Sequence, residues 1–234
     1  LLKKALAMGI DYVATGHYAR IEKGEDGKYI LRASEAVKKD QSYVLYNFTQ
    51  EQLAHTLMPL GGYNKDWVRQ KAEELGLGVA HKPDSQEICF VEDDDYAKFI
   101  TDYSGYKPKE GDILDVNGNV IGKHRGLIYY TIGQRKGIGA YGRPMFVMKI
   151  DAENNTITLG EKGMEFSNEL TAYDVNFVSG EFPKENMLIT AKVRYQAPPA
   201  EAMLCPQKDG TVKLMFPEPQ RAVTPGQAVV FYDG

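Results

Sequence analysis

Asp11-Tyr12-Val13-Ala14-Thr15-Gly16-His17-Tyr18 is the stretch on which the reading of the fold turns. A short apolar run ends in glycine, histidine and tyrosine, so a loop leaves the end of a strand, and in open α/β sheets ligands bind at that place. Upstream, Leu1 to Met8 reads as the end of an amphipathic helix stopped by Gly9, a residue common just past a helix. Downstream, Gly24-Glu25-Asp26-Gly27 marks a hairpin that pairs Ala19–Glu22 with Tyr29–Arg32. Thr49 with Gln52 three residues later predicts a capping box before Leu53, Ala54 and Leu57. Asn64 is the expected cap of a helix over 65–75, closed by Gly76, with Val68, Ala72 and Leu75 on one face to pack on the α/β sheet. A third helix is expected from Asp94 to Tyr103, its acids placed in the first turn, where the helix dipole favours them.

After about Gly105 the pattern changes to short alternating strands. Asn117-Gly118 and Asn154-Asn155 predict two tight hairpins, the second between 146–148 and 157–159. Further strands are expected over 172–178, 188–195, 212–216 and 228–232, with Pro217, Pro219 and Pro225 marking loops. Such spacing suits small barrels. The expected class is multidomain α/β plus β: the C-terminal part of a Rossmann-like nucleotide domain over 1–104, a small β-rich central domain over 105–165, and a β-barrel over 166–234.

The bulk composition narrows the function classes. With 234 residues, 43% hydrophobic and 26% charged, the chain is long enough for several cores and ordinary for a globular protein. No apolar run approaches the roughly 18 residues that cross a bilayer, and the first residues carry no cleavage-site signature. Two cysteines in this length argue against a disulfide framework, so a cytoplasmic setting without membrane attachment is expected. The net charge of −4 offers no global attraction to nucleic acid, so any such binding must rest on where the charges sit. Ile121 to Ile150 holds six basic residues and no acids, interleaved with Tyr129, Tyr130, Tyr141 and Phe146, whereas Glu92 to Asp115 has eight acids and three lysines. Cations among aromatics and glycines suit phosphate contact and base stacking, and equally a solvated hairpin surface.

Cys89, in Asp84-Ser85-Gln86-Glu87-Ile88-Cys89-Phe90, is the candidate nucleophile. A free thiol titrates near about 8.5, so a small thiolate fraction is available for sulfur chemistry. An Ile-Cys-Phe triplet is also what a core strand looks like. Cys205, before Pro206, reads as structural. The acids Glu92 to Asp95 point in different directions on one helix turn, and His55, His81 and His124 lack zinc-site spacing, so no metal site is read.

Five segments then occur in order: Ala14-Thr15-Gly16-His17-Tyr18, Lys39-Asp40-Gln41-Ser42-Tyr43, Asp84-Ser85 to Ile88-Cys89-Phe90, Gly133-Gln134-Arg135-Lys136-Gly137 and Thr224-Pro225-Gly226-Gln227. Together they resemble the bacterial tRNA-specific 2-thiouridylases, which replace oxygen by sulfur at the wobble uridine of tRNA. The resemblance implies an ATP-pyrophosphatase domain that adenylates the uridine carbonyl oxygen, and a persulfide that delivers the sulfur from Cys89. It implies ATP, with Mg2+, as co-substrate and no permanently bound cofactor. The implied partners are tRNA and a sulfur-donor protein, either a persulfide relay or a cysteine desulfurase. By the same resemblance Gly16 approaches ATP, and His17, Lys39, Asp40, Gln41, Arg194, Tyr195 and Gln227 contact tRNA. From the residues alone, Gly16 is a turn, Asp40 a helix N-cap, and Arg194, Tyr195 and Gln227 barrel surface.

The family's Ser-Gly-Gly-x-Asp-Ser loop, and its second catalytic cysteine beside an aspartate, have no counterpart in this sequence. The chain is therefore expected to be a fragment, inactive by itself, that begins mid-domain and stops on the turn signal of 231–234. A non-catalytic RNA-binding module, and another sulfur-transfer enzyme of the same superfamily, are the competing expectations.

Overall fold

A computed structural model describes residues 1–78, 80, 81, 91 and 95–233. In chain order the elements are α1 (Leu2–Ala7), β1 (Val13–Ala14), β2 (Ala19–Lys23), β3 (Tyr29–Ala33), α2 (Gln50–Ala54), β4 (Thr56–Leu57), α3 (Lys65–Glu74) and α4 (Tyr96–Ser104). The strands β5 (Gly111–Leu114), β6 (Val120–His124), β7 (Met145–Asp151), β8 (Thr156–Glu161) and β9 (Phe166–Ala172) follow. The chain closes with β10 (Met187–Lys192), β11 (Ala200–Pro206), β12 (Val212–Arg221) and β13 (Val230–Tyr232). The mixed α/β beginning and the β-rich remainder bear out the expected class.

The chain divides into two compact units: 1–83 with 171–215 and 228–234, and 84–170 with 216–227. In the first unit β1 pairs in parallel with β4, Val13 opposite Thr56. The expected β2–β3 hairpin forms, with Ala19 opposite Ala33 and Ile21 opposite Leu31, so each strand is one residue longer than predicted, and Gly27 at φ +82° allows its turn. Both predicted caps form. Thr49 Oγ1 accepts from the Gln52 amide at 3.3 Å while the Thr49 amide donates to Gln52 Oε1 at 2.9 Å, and Asn64 Oδ1 accepts from the Trp67 amide at 2.8 Å.

The largest sheet has the order β13-β10-β11-β12-β9. Its buried residues alternate with period two, as a sheet with one face on a core requires: Ile189 and Ala191, Ala202 and Leu204, Val212 and Leu214. Loop residues of the same unit fasten to the hairpin segment. Gln50 Nε2 donates to the carbonyls of Tyr29 and Val178 at 2.7 and 2.6 Å, and Asn176 Nδ2 donates to those of Tyr46 and Phe48 at 2.9 and 3.1 Å.

The second unit holds the sheet β6-β5-β8-β7, in which β5 and β8 run parallel and the other pairs antiparallel. Ile113, Ile138, Met145, Val147, Ile157 and Leu159 form its core. His124 belongs to this packing: Gly126 N–H donates to its Nδ1 at 3.1 Å, which leaves Nε2 to donate to the Asn155 carbonyl at 2.9 Å. Glu165 is buried and its carboxylate faces Arg221, Oε1 to Nε 3.4 Å.

Several sequence expectations need correction. The Asn117-Gly118 hairpin is not a two-residue turn, because the Asp115 carboxylate accepts from the amides of Asn117 and Asn119, each at 2.8 Å, and this wraps a three-residue loop. The loop of 152–155 is likewise longer than predicted. Asp151 accepts from the Asn154 amide at 3.0 Å, and the hydrogen bonds to Asn154 hold its carboxyl at about 2. The strand expected over 172–178 lies earlier, at Phe166–Ala172. β12 runs through Pro217 and Pro219 to Arg221. Its pairing with β11 ends at Met203 opposite Met215, so those prolines have no ladder bond on that side to lose. Finally, α3 buries none of its residues, and Leu75 is 67% exposed, so the expected packing of its apolar face is not seen among the described residues.

Gly61 is the close contact that holds the hairpin against the segment after β4. A Cβ there would lie 2.0 Å from the Ala19 carbonyl oxygen, and its own carbonyl accepts from Ser34 Oγ at 3.0 Å. Gly61→Ala is expected to destabilise the chain by about 1–3 kcal/mol through overpacking. A denaturant midpoint unchanged from the wild type contradicts this.

Candidate functional site

The strand β1 delivers Thr15, Gly16 and His17 to its C-terminal end. Gly16 is exposed, its φ is not in the left-handed region, and the nearest atom to a Cβ placed there is Leu60 Cδ1 at 3.8 Å. Among the described residues nothing demands glycine at this position, and the backbone is open on that side. His17 is half-buried, with Nδ1 3.0 Å from Thr15 Oγ1. The Tyr18 ring is buried and has Lys65 Nζ 5.9 Å from its centroid.

The segment 39–43 is anchored to this strand end by its own side chains. Gln41 clamps Tyr18 from both sides: its amide donates to the Tyr18 carbonyl and its Oε1 accepts from the Tyr18 amide, each at 2.9 Å. Asp40 accepts from the Ser34 amide at 2.9 Å, the Ser42 amide at 3.2 Å and Ser42 Oγ at 2.7 Å. This Asx turn precedes the short 3-10 helix Ser42–Leu45, close to the N-cap role read from sequence, although Gln41 is the formal cap. Asp40 and Gln41 thus spend acceptors on the fold, while Lys39 is exposed beside them.

The barrel strands complete the surface. Ser42 Oγ lies 3.1 Å from the Tyr232 hydroxyl on β13, and the Tyr43 hydroxyl donates to the Ala228 carbonyl at 2.6 Å. Burial pushes both phenols upward, so they stay protonated. Arg194 and Tyr195 sit in the turn after β10. The Tyr195 ring meets that of Tyr43 edge-on at 5.7 Å, and Lys192 Nζ lies 5.7 Å from both centroids. The arrangement sets the Lys192 ammonium beside the exposed Tyr195 ring, which is backed by the buried Tyr43, with Arg194 adjacent in the chain.

Lys192 and Tyr43 were not singled out from the sequence. Lys192 is the last residue of β10, two before Arg194, and its proximity in sequence to that residue was a usable signal. Tyr43 closes the quoted segment Lys39-Asp40-Gln41-Ser42-Tyr43, but its contacts with Lys192 and Tyr195, about 150 positions away, were not visible there. Gln227 is exposed, its amide donating to the Thr224 carbonyl at 3.1 Å in a turn of the second unit. Cys89 lies outside the described residues. Cys205 is on β11 with its Sγ 4.0 Å from the Met203 carbonyl. Among the described residues no three His, Cys, Asp or Glu side chains form a group that could hold a metal ion, so no ligands for Mg2+ are assigned. No helix among them is long and apolar enough to cross a membrane.

Three family models match in succession: the tRNA methyl transferase HUP domain over 1–93, the tRNA methyl transferase PRC-barrel domain over 97–161 and the aminomethyltransferase beta-barrel domain over 167–234. The tRNA-specific 2-thiouridylase MnmA of Acetivibrio thermocellus is 58% identical over 100% of this chain, and the same-named protein of Clostridioides difficile is 54% identical over 99%. That of Clostridium acetobutylicum is 52% identical over 100%. The chain spans 66%, 65% and 66% of the lengths of these relatives. With three domain matches in order and this identity from end to end, the chain belongs to the tRNA-specific 2-thiouridylase family.

Proposed function

We propose that this chain is part of an enzyme that uses ATP to convert the wobble uridine of tRNA to 2-thiouridine. The observation that carries this reading is the 58% identity over the whole chain to a protein named for that activity. The geometry of the first unit supports it: an open glycine at the end of β1, and in the same unit Lys192 beside the exposed Tyr195 ring, with Arg194 next to it in the chain. Guanidinium and ammonium groups bind phosphates, and exposed rings stack on unpaired bases, which is how single-stranded RNA loops are held.

In this reading Gly16 lets ATP approach the strand end, and ATP when bound supplies the leaving group, AMP, at the uridine carbonyl oxygen. Cys89 carries the sulfur as a persulfide received from a donor protein. A terminal persulfide sulfur, polarisable and a good nucleophile, forms the new bond to C2 of the base as the C2–O bond breaks and AMP leaves. A second thiol, supplied by the full-length enzyme outside this chain, then attacks Cys89 Sγ, so that the S–S bond breaks, a disulfide forms and the sulfur stays on the base. His17 flanks the strand end, Lys39 and Arg194 hold phosphates, Tyr195 stacks, and Gln227 adds a polar contact. Asp40 and Gln41 act on tRNA chiefly by fixing the segment that presents Lys39.

Cys89→Ser in the full-length enzyme is expected to abolish 2-thiouridine in tRNA while tRNA affinity stays within about twofold. Nucleoside mass spectrometry showing normal thiolation removes Cys89 from the chemistry. Arg194→Ala is expected to weaken tRNA binding and to lower its dependence on salt by about one unit of slope, because one phosphate contact releases its counterions. An unchanged slope in a salt titration assigns Arg194 to the barrel surface alone.

A further inference from the structure

The second unit carries cations that the proposed reaction leaves unused. Of the six basic residues between Ile121 and Ile150, three face carboxylates: Lys123 Nζ lies 2.5 Å from Asp112 Oδ1, Arg143 Nη1 2.8 Å from Glu161 Oε1 and Lys149 Nζ 3.1 Å from Asp151 Oδ2. Among the described residues Arg125, Arg135 and Lys136 have no carboxylate within ion-pair reach, and all three are exposed. The Arg125 guanidinium stacks over the Tyr129 ring, 4.0 Å from its centroid.

The loop that bears them is braced. Gln134 Nε2 donates to the carbonyls of Tyr129 and Lys136 at 3.3 and 2.9 Å, and its Oε1 accepts from the Thr131 amide at 2.9 Å. One side chain therefore spans from the Arg125–Tyr129 stack to Arg135 and Lys136. The Gly133 amide donates to the Val147 carbonyl at 2.7 Å, and the Val147 amide to the Gln134 carbonyl at 3.0 Å, which fastens the loop to a fully buried residue of β7. Cations held in this way are arranged before any ligand arrives.

Beside them is a cavity of about 390 Å3 lined by Arg135, Ile138, Gly139, Tyr141, Arg143 and Met145, among others. Ile138 and Met145 are 4% and 6% exposed and make an apolar floor, while Tyr141 adds a half-buried ring. An apolar, aromatic floor with guanidinium groups at the rim matches a nucleobase attached to a phosphate. Exposed, unneutralised cations spread along a loop suit a polymer's line of phosphates better than a single enclosed anion.

We propose that this loop and cavity form an RNA subsite, which holds one nucleotide of the bound tRNA with its phosphate on Arg135 and Lys136 and its base against Tyr141. The inference rests on tRNA being the substrate and places a contact on second-unit residues other than Gln227. Its test is fluorescence anisotropy of labelled tRNA with the chain over a salt series. The Arg135→Ala, Lys136→Ala double variant is expected to raise Kd about tenfold and to reduce the salt slope by one to two units, each phosphate contact contributing about 0.7 to 0.9. Tyr141→Leu, which keeps an apolar side chain, is expected to raise Kd several-fold with the slope unchanged. Thermal melts matching the wild type confirm that the variants fold. Wild-type binding with both variants unaffected overturns the subsite and leaves the thiolation reading intact. Absence of saturable binding by the wild type contradicts the thiolation reading and the subsite with it. Inorganic polyphosphate that competes with tRNA equally well per phosphate overturns the base contact.

Discussion

The Asp40 carboxylate is the interaction on which the first unit depends. It gathers the Ser34 amide, the Ser42 amide and the Ser42 hydroxyl, and Ser42 in turn reaches Tyr232 on the barrel strand β13. A buried hydroxyl between a carboxylate and a phenol is costly to leave unsatisfied, so the three groups form together or not at all. With Tyr43 bonded to the Ala228 carbonyl, this joins the strand-end segment to a sheet more than 140 residues later in the chain. The segment that carries Lys39, Asp40 and Gln41 is positioned from this joint.

Charge explains why positioning matters so much. A chain with a net charge of −4 repels a polyanion at long range, and the screening length of about 8 Å at physiological salt leaves recognition to local groups. In the proposed reading the protein meets this by clustering its cations with aromatic rings, at Lys192 with Tyr43 and Tyr195, and at Arg125 with Tyr129. A guanidinium or ammonium over a ring face is ordered before it meets phosphate, which lowers the entropy cost of binding.

Local signals in the sequence were faithful. The capping box at Thr49 and Gln52, the Asn64 cap and the Ala19–Arg32 hairpin each rest on residues within a few positions, and each forms. The hairpin loops at 115–119 and 151–156 were misjudged because an aspartate at the strand end, rather than the Asn-Gly or Asn-Asn pair, sets loop length by collecting amides. β12 was ended too early because proline breaks a ladder only where its missing N–H would have had an acceptor. At the site, Arg194 and Tyr195 were singled out only through the family resemblance, since by themselves they read as barrel surface. Asp40 and Gln41 were legible as polar residues of interest, but not as braces, since that role is visible only once Tyr18, Ser34 and Tyr232 are in place.

Hydrogen exchange of the Asp40→Ala variant tests this account most directly. If Asp40 is the joint, amide protection falls together in 40–45 and in β10 and β13, although the latter lie about 150 to 190 residues away in sequence. Loss of protection confined to 34–45, with β10 and β13 exchanging as in the wild type, would show that the strand-end segment and the barrel are held together by something else.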